Sequence, residues 1–216
     1  MSQNRRSTGL MFKEVHNGDP ELEKALEIYE ECFSGSPISI PAETLHEALM
    51  RKSGGPRIAV LTEQTVIAMA VFSRFDKGSI IWYLAVMREA RRKGYGSLMV
   101  RSIADVLKEE VQPGPSAFLY AEFDGELAPF WESNGFRVLP VRYFQPPIAG
   151  TWVSLKLGAK ALYFPSKLTG KAVEEFVREI YTEVYRVKEL NEEHARTTLN
   201  DCLNMNEIMF ISPHRT

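Results

Sequence analysis

An apolar run, Ile80-Ile81-Trp82-Tyr83-Leu84-Ala85-Val86, leads after a short link into Arg91-Arg92-Lys93-Gly94-Tyr95-Gly96-Ser97. Leu98, Met99, Ile103, Val106 and Leu107 then recur at helical spacing, which predicts a helix over 96–110. A strand that feeds a basic glycine loop and then an amphipathic helix commits the chain to packing a helix on a sheet. The loop is also a place where main chain alone can hold an anion. Gly94 and Gly96 carry no side chain to block a close approach, and the first N–H groups of the helix have no intrahelical partner. Arg91, Arg92 and Lys93 add positive charge at the same mouth.

Two phosphate-loop patterns fail on these residues. A dinucleotide fingerprint needs a tight strand-to-helix turn and a third glycine where Met99 stands, and the link from Val86 to Gly94 is too long for that turn. A Walker-type loop needs Gly-Lys-Ser/Thr, whereas Lys93 precedes the glycines. An ordinary surface loop with two glycines is the plain alternative, and the flanking elements decide against it.

Residues 10–15 read as a first strand. Asp19-Pro20 caps a helix whose stripe is Leu22, Ala25, Leu26, Ile28, Tyr29 and Phe33. A second helix begins at Pro41-Ala42-Glu43-Thr44 and carries Leu45, Leu49 and Met50, and Gly54-Gly55-Pro56 is a turn. Three strands over 57–62, 65–75 and 79–86, joined by short turns, make an antiparallel meander. Residues 117–123 are strand-like and lie parallel to 80–86, because a helix separates them. A short helix over 129–133, stopped by Asn134-Gly135, precedes strands at 136–139 and 152–157. The two prolines of Tyr143-Phe144-Gln145-Pro146-Pro147 predict a fixed loop. Helices follow over 170–187, with Val173, Phe176, Val177, Ile180, Val184 and Tyr185 as its stripe, and over 192–203.

This order, β-α-α-β-β-β-α-β-α-β-β, together with Arg91-Arg92-Lys93-Gly94-Tyr95-Gly96 and Asn134-Gly135-Phe136, resembles the GNAT superfamily of acyl-CoA-dependent N-acetyltransferases. The first six residues fit its pyrophosphate loop, Arg/Gln-x-x-Gly-x-Gly/Ala. The resemblance implies an α/β (α+β) fold with a mixed, mostly antiparallel central sheet flanked by helices. It covers residues 10–164, with a flexible tail over 1–9. Residues 165–216 form a helical C-terminal extension beyond the usual family core, packed on the core or on a partner subunit.

The resemblance also implies a division of labour. Main-chain groups of Leu84, Ala85 and Val86 would pair with the pantetheine arm of acetyl-CoA, the acyl donor. Leu84 would polarise the thioester carbonyl. Arg91, Arg92, Lys93, Gly94, Tyr95, Gly96 and Ser97 would hold the pyrophosphate. Acyl transfer to an amine needs a base, for which Glu122 is the first candidate near the end of the strand lining the opening. The family commonly reads Asn-x-x-Ala-x-x-Phe-Tyr-x-x-x-Gly-Phe in the stretch that ends at Phe136, with the tyrosine by the sulfur. Here the Gly135-Phe136 ending matches and Trp131 replaces the tyrosine. An indole is no acid in this chemistry, so either the thiolate leaves unassisted, or Tyr143 or Tyr83 serves. Trp131 is carried over as a cofactor-site residue.

Composition narrows what else the chain does. Its 216 residues are 44% hydrophobic and 25% charged with a net charge of −2, so no overall field draws it to nucleic acid or acidic lipid. No apolar run reaches membrane-spanning length, and the first residues lack a signal-peptide core, which makes cytoplasm the expected address. Cys32 and Cys202 read as reduced thiols, and His16, His46, His194 and His214 have no zinc spacing, so no metal is expected. Gly-x-Ser-x-Gly is absent, which leaves a nucleophile elbow unsupported. The leading expectation is acetyl transfer to a primary amine, on a small molecule or a peptide, by direct attack in a ternary complex. Trp131 motivates the alternative, a non-catalytic acyl-CoA-binding module. A homodimer is compatible with the family resemblance.

Overall fold

The computed structural model describes residues 9–49, 55–148 and 150–212. The expected tail up to residue 8, Met50 of the second helix, Gly54 of the Gly54-Gly55-Pro56 turn and His214 lie outside the described residues. In chain order the elements are β1 (Met11–Val15), α1 (Glu21–Phe33), α2 (Ala42–Leu49), β2 (Arg57–Thr62), β3 (Val66–Arg74), β4 (Ser79–Val86), α3 (Tyr95–Glu110) and β5 (Phe118–Phe123). There follow α4 (Ala128–Ser133), β6 (Arg137–Val138), β7 (Tyr143–Gln145), β8 (Val153–Ala161), β9 (Ser166–Leu168), α5 (Gly170–Glu183), α6 (Glu193–Leu203) and β10 (Ile208–Phe210).

The main sheet runs β1-β2-β3-β4-β5-β8-β6, with β7 also on β8. Its pairs are antiparallel except β4 with β5, which α3 joins as a crossover. Alternation along the strands sends each face to its own helices. Ile58, Val60, Met69 and Val71 meet Ala25, Ile28 and Tyr29 of α1 and Leu45 of α2. Further along that face, Ile80, Phe118 and Tyr120 meet Val173, Phe176 and Val177 of α5. The opposite face gives Ala70, Phe72, Ile81 and Leu119 to Met99, Val100 and Ile103 of α3.

The C-terminal helices are built into this packing. The Phe176 ring stacks on Tyr120 at 3.9 Å and 9°. Thr169 caps α5 by accepting from the Ala172 N–H at 3.2 Å. Gly170, the first residue of α5, sits so close to α6 that a Cβ there would lie 2.3 Å from the Cys202 carbonyl oxygen. The small β9–β10 ladder closes the end of this layer, and periodicity gives no sign of its two short strands.

Two local expectations change. Tyr143–Gln145 is not loop but strand, paired with Val153–Leu155 of β8; Pro146 and Pro147 fall just after it and end the strand, where a missing N–H costs no ladder bond. Asp19 does not cap α1 with its side chain. Its carboxylate accepts from the His16 N–H at 2.8 Å and pairs with Lys13 at 3.1 Å, while its carbonyl receives the Leu22 N–H.

Arg57 ties three elements together. It bonds both oxygens of Glu14 on β1 and both of Glu110 at the end of α3, with its guanidinium 4.7 Å from the Phe72 ring centre. Arg57→Met is expected to lower stability by about 1–3 kcal/mol, since it leaves two carboxylates without their partner. A chemical-denaturation midpoint equal to wild type would show that the pair adds nothing.

Candidate active site

The opening between β4 and β5 begins at a bulge. Val71 pairs with Tyr83 and Phe72 with Ile81, so Trp82 is an extra residue on β4. The insertion resets the alternation and lets Trp82 and Tyr83, neighbours in sequence, pack toward the same face. β4 meets β5 at only three rungs, Ser79–Leu119, Ile80–Tyr120 and Ile81–Ala121. Beyond them the strands separate, leaving an unpaired edge.

Alternation decides which main-chain groups face that opening. The Met87 N–H donates to the Ile67 carbonyl at 2.9 Å, which puts Ala85 on the β3 side as well. Leu84 and Val86 therefore present their main chain to the opening, and of the three expected residues Ala85 does not. The Val86 carbonyl is engaged by Arg91 Nε at 3.0 Å.

The glycine loop follows directly. Arg91 folds back, its Nη2 also reaching Cys32 Sγ at 3.5 Å, so its charge fixes the loop instead of projecting from it. Arg92 adopts φ 62° and Gly94 φ 85°, both left-handed. A non-glycine residue in that region is held at a cost, and such strain concentrates at functional loops. Gly94 starts α3, whose first turn has neither a side-chain cap nor an acidic residue. The N–H groups of Tyr95, Gly96 and Ser97 thus remain available to an anion among the described residues. A Cβ on Gly94 would meet nothing within 4 Å, so the loop is open on that side. Arg92 and Lys93 are exposed, and the Tyr95 hydroxyl is engaged by Glu63 at 2.8 Å.

Trp131 flanks the opening from α4. It is buried, stacks on Phe123 at 5.5 Å and 23°, and meets Phe136 and Phe130 edge-on. Its Nε1–H is buried with no partner among the described residues. The Phe130 ring in turn reaches to within 3.2 Å of where a Gly96 Cβ would stand, which draws α4 against the start of α3.

Glu122 is the first residue of β5 past the last rung to β4, and its side chain lies on the α5 face with Tyr120. Tyr143 donates to its Oε1 at 2.5 Å and Tyr185 to its Oε2 at 2.9 Å. Removal from water pushes the Glu122 carboxyl up to about 7, against the two tyrosine hydrogen bonds that pull it down. Tyr143 is fully buried, and its phenol is raised well above the usual range by burial and by the nearby Glu122. The hydroxyl considered as an acid is thus spent on the candidate base. Tyr83, the other tyrosine considered, donates to the Ile38 carbonyl at 2.9 Å.

On this face a cleft of about 880 Å³ lies between α2 and the end of α5, with Leu45, Trp82, Tyr83, Pro147, Val184 and Tyr185 in its wall. Trp82 Nε1 is taken by Ser73 Oγ at 2.8 Å, and its ring meets Tyr185 edge-on at 6.0 Å. Sequence reasoning missed Tyr185 as a site residue. It belongs to an apolar stripe that reads as core, and its partner Glu122 lies 63 positions away.

The expected residues thus form two groups: Leu84, Val86, Arg91–Ser97 and Trp131 around the strand opening, and Glu122 with Tyr143 on the α5 face. Among the described residues no group of three or more His, Cys, Asp or Glu is placed to hold a metal ion. No helix among them is long and apolar enough to cross a membrane.

No curated protein matches the chain in sequence. Among solved structures, a protein described as a GNAT-family acetyltransferase from Bacteroides thetaiotaomicron superposes with a TM-score of 0.65 at 19% identity, over 82% of this chain and 99% of that one. The ribosomal-protein-S18-alanine N-acetyltransferase from Escherichia coli gives 0.55 at 17% identity, over 73% and 97%. The ribosomal-protein-alanine N-acetyltransferase from Brucella melitensis gives 0.55 at 19%, over 70% and 99%. These likenesses establish the fold. Residues 22–136 match the model of the acetyltransferase (GNAT) family. That match takes in more than half of the sequence, including the strand opening, the glycine loop and α4, and the chain belongs to the GNAT acetyltransferase family.

Proposed function

We propose that the protein transfers an acetyl group from acetyl-CoA to a primary amine by direct attack in a ternary complex, with Glu122 as the base. The carrying observation is the placement of that carboxylate. It stands at the first position past the β4–β5 rungs, held by two hydroxyls, with its affinity for a proton raised to near neutrality. A base poised near the working pH is what removing a proton from an amine requires.

The residues present suit the acyl donor. The N–H groups at the start of α3, with Arg92 and Lys93, would hold the pyrophosphate. The main chain of Leu84 and the Val86 N–H would meet the pantetheine arm, and the unpartnered Trp131 Nε1–H would find an acceptor there. Bound acetyl-CoA supplies a thioester carbonyl and a thiol leaving group of modest pKa. Tyr143 is then a positioning residue for Glu122. The acceptor amine, on a small molecule or a peptide, would enter through the cleft between α2 and α5.

Calorimetric titration with acetyl-CoA tests the donor half. The wild type binds, and Gly94→Trp, which fills the open side of the loop, weakens binding at least about tenfold. Thiol release is then screened against amines. Equal binding by the variant would remove the loop from the donor site. Binding without amine-dependent thiol release would favour the acyl-CoA-binding alternative, which the tryptophan at position 131 motivates.

A further inference from the structure

We propose that Tyr185 relays the proton from the acceptor amine to Glu122, so that the C-terminal segment, outside the family-matched residues, completes the active site. The inference rests on the reading of Glu122 as the base. Neither Glu122 nor Tyr143 is in the wall of the cleft, whereas Tyr185 is, and its hydroxyl donates to Glu122 Oε2 at 2.9 Å. The neighbouring aromatic residues offer no second route. The Trp82 N–H is spent on Ser73 and the Tyr83 O–H on the Ile38 carbonyl. Among the described residues that line the cleft, Tyr185 is thus the one with a hydrogen bond to the base.

The local fold holds that phenol in place. Arg186 turns the chain with φ 54°, the Tyr185 N–H bonds the Ile180 carbonyl at 3.1 Å, and the Val187 N–H bonds the Tyr181 carbonyl at 2.9 Å. The Tyr185 ring packs edge-on against Trp82 and Tyr181, at 6.0 and 6.4 Å. Four tyrosines among the described residues feel the Glu122 charge: Tyr83 from β4, Tyr143 from β7, Tyr181 from α5 and Tyr185 after it. Burial therefore raises the base, and the Tyr143 and Tyr185 hydroxyls pull it back down.

In the relay an ammonium group bound in the cleft gives one proton to Tyr185 Oη as the Tyr185 hydroxyl proton moves to Glu122 Oε2. The ammonium becomes a neutral amine with a free lone pair, the carboxylate becomes a carboxylic acid, and Tyr185 is neutral before and after. No electrons are transferred, and Glu122 returns its proton to water by the same route after turnover.

Tyr185→Phe in the full-length protein, compared with Tyr143→Phe and Glu122→Gln, tests this. The acceptor is the amine giving the fastest thiol release in the screen described above. Tyr185→Phe is expected to keep acetyl-CoA affinity and melting temperature while kcat/KM for the amine falls about 10²-fold. The acid limb of its pH profile moves upward, because a hydrogen bond to the charged carboxylate is lost. A carbon NMR titration of Glu122 reads the same upward movement without any acceptor. Tyr143→Phe moves the limb in that direction too and lowers the rate as well, but by clearly less than Tyr185→Phe, since Tyr143 supports Glu122 without lining the cleft. Equal rate losses in the two phenylalanine variants would reduce Tyr185 to hydrogen-bond support and overturn the relay. So would a wild-type rate in Tyr185→Phe beside an inactive Glu122→Gln. An active Glu122→Gln would instead bring down the base assignment itself.

Discussion

Glu122→Gln is expected to leave acetyl-CoA binding intact while lowering acetyl transfer by about 10²–10⁴-fold, the range that a positioned general base contributes. Glutamine preserves shape and still offers an oxygen to Tyr143 or Tyr185, so the loss isolates proton transfer from packing. The wild-type kcat/KM should fall on the acid side of about pH 7, where the carboxyl takes up a proton, and the variant's residual rate should lack that limb. Stability supplies an independent sign. The folded-state pKa lies above the ordinary carboxyl value of 4.5, so the contribution of Glu122 to stability is fully present below that value and is lost as pH rises through about 7. Glu122→Gln should therefore melt higher than wild type at pH 8, with the difference vanishing near pH 4. A variant that turns over at the wild-type rate would remove Glu122 from the mechanism.

Phe176→Ala should lower stability by about 3–5 kcal/mol, as expected for deleting a fully buried aromatic ring. The ring stacks on Tyr120 and also presses against Gly78, where a Cβ would come within 3.0 Å of it, so the surrounding backbone has little room to close the void. Urea denaturation should show a lower midpoint with an unchanged slope. Because Tyr185 follows directly on α5, amine-dependent turnover should fall more than acetyl-CoA binding, which in the proposed function rests on the β4 edge and the glycine loop. A loss below about 1 kcal/mol would mean that α5 is an accessory to the core.

Much of this arrangement was legible because it follows from local chemistry. The meander of β2, β3 and β4, the amphipathic α3 and the glycine loop each show in periodicity or in a short motif, and the family resemblance joins them. What escaped depends on tertiary placement. The run Ile80–Val86 is apolar throughout, so the parity change at Trp82 leaves no mark in the sequence. The prolines at 146 and 147 suggested loop because they follow Tyr143 closely, but they lie past the last β7 rung. Ala85 stands beside Leu84 and Val86 in sequence, yet strand alternation turns its hydrogen bonds away from the opening. Tyr185 has the spacing of a core residue, and only the left-handed turn at Arg186 and the path of α5 bring its hydroxyl to Glu122.

The bulge at Trp82 has an evolutionary corollary. In the proposed function one strand faces the donor with its main chain, at Leu84 and Val86, and the acceptor with its side chains, at Trp82 and Tyr83. Substitution changes side chains and leaves main-chain hydrogen bonds in place, so a lineage could exchange acceptors by altering two adjacent codons while its use of coenzyme A stayed fixed. Loss of one codon in the same stretch would remove the extra residue and disturb both sides at once.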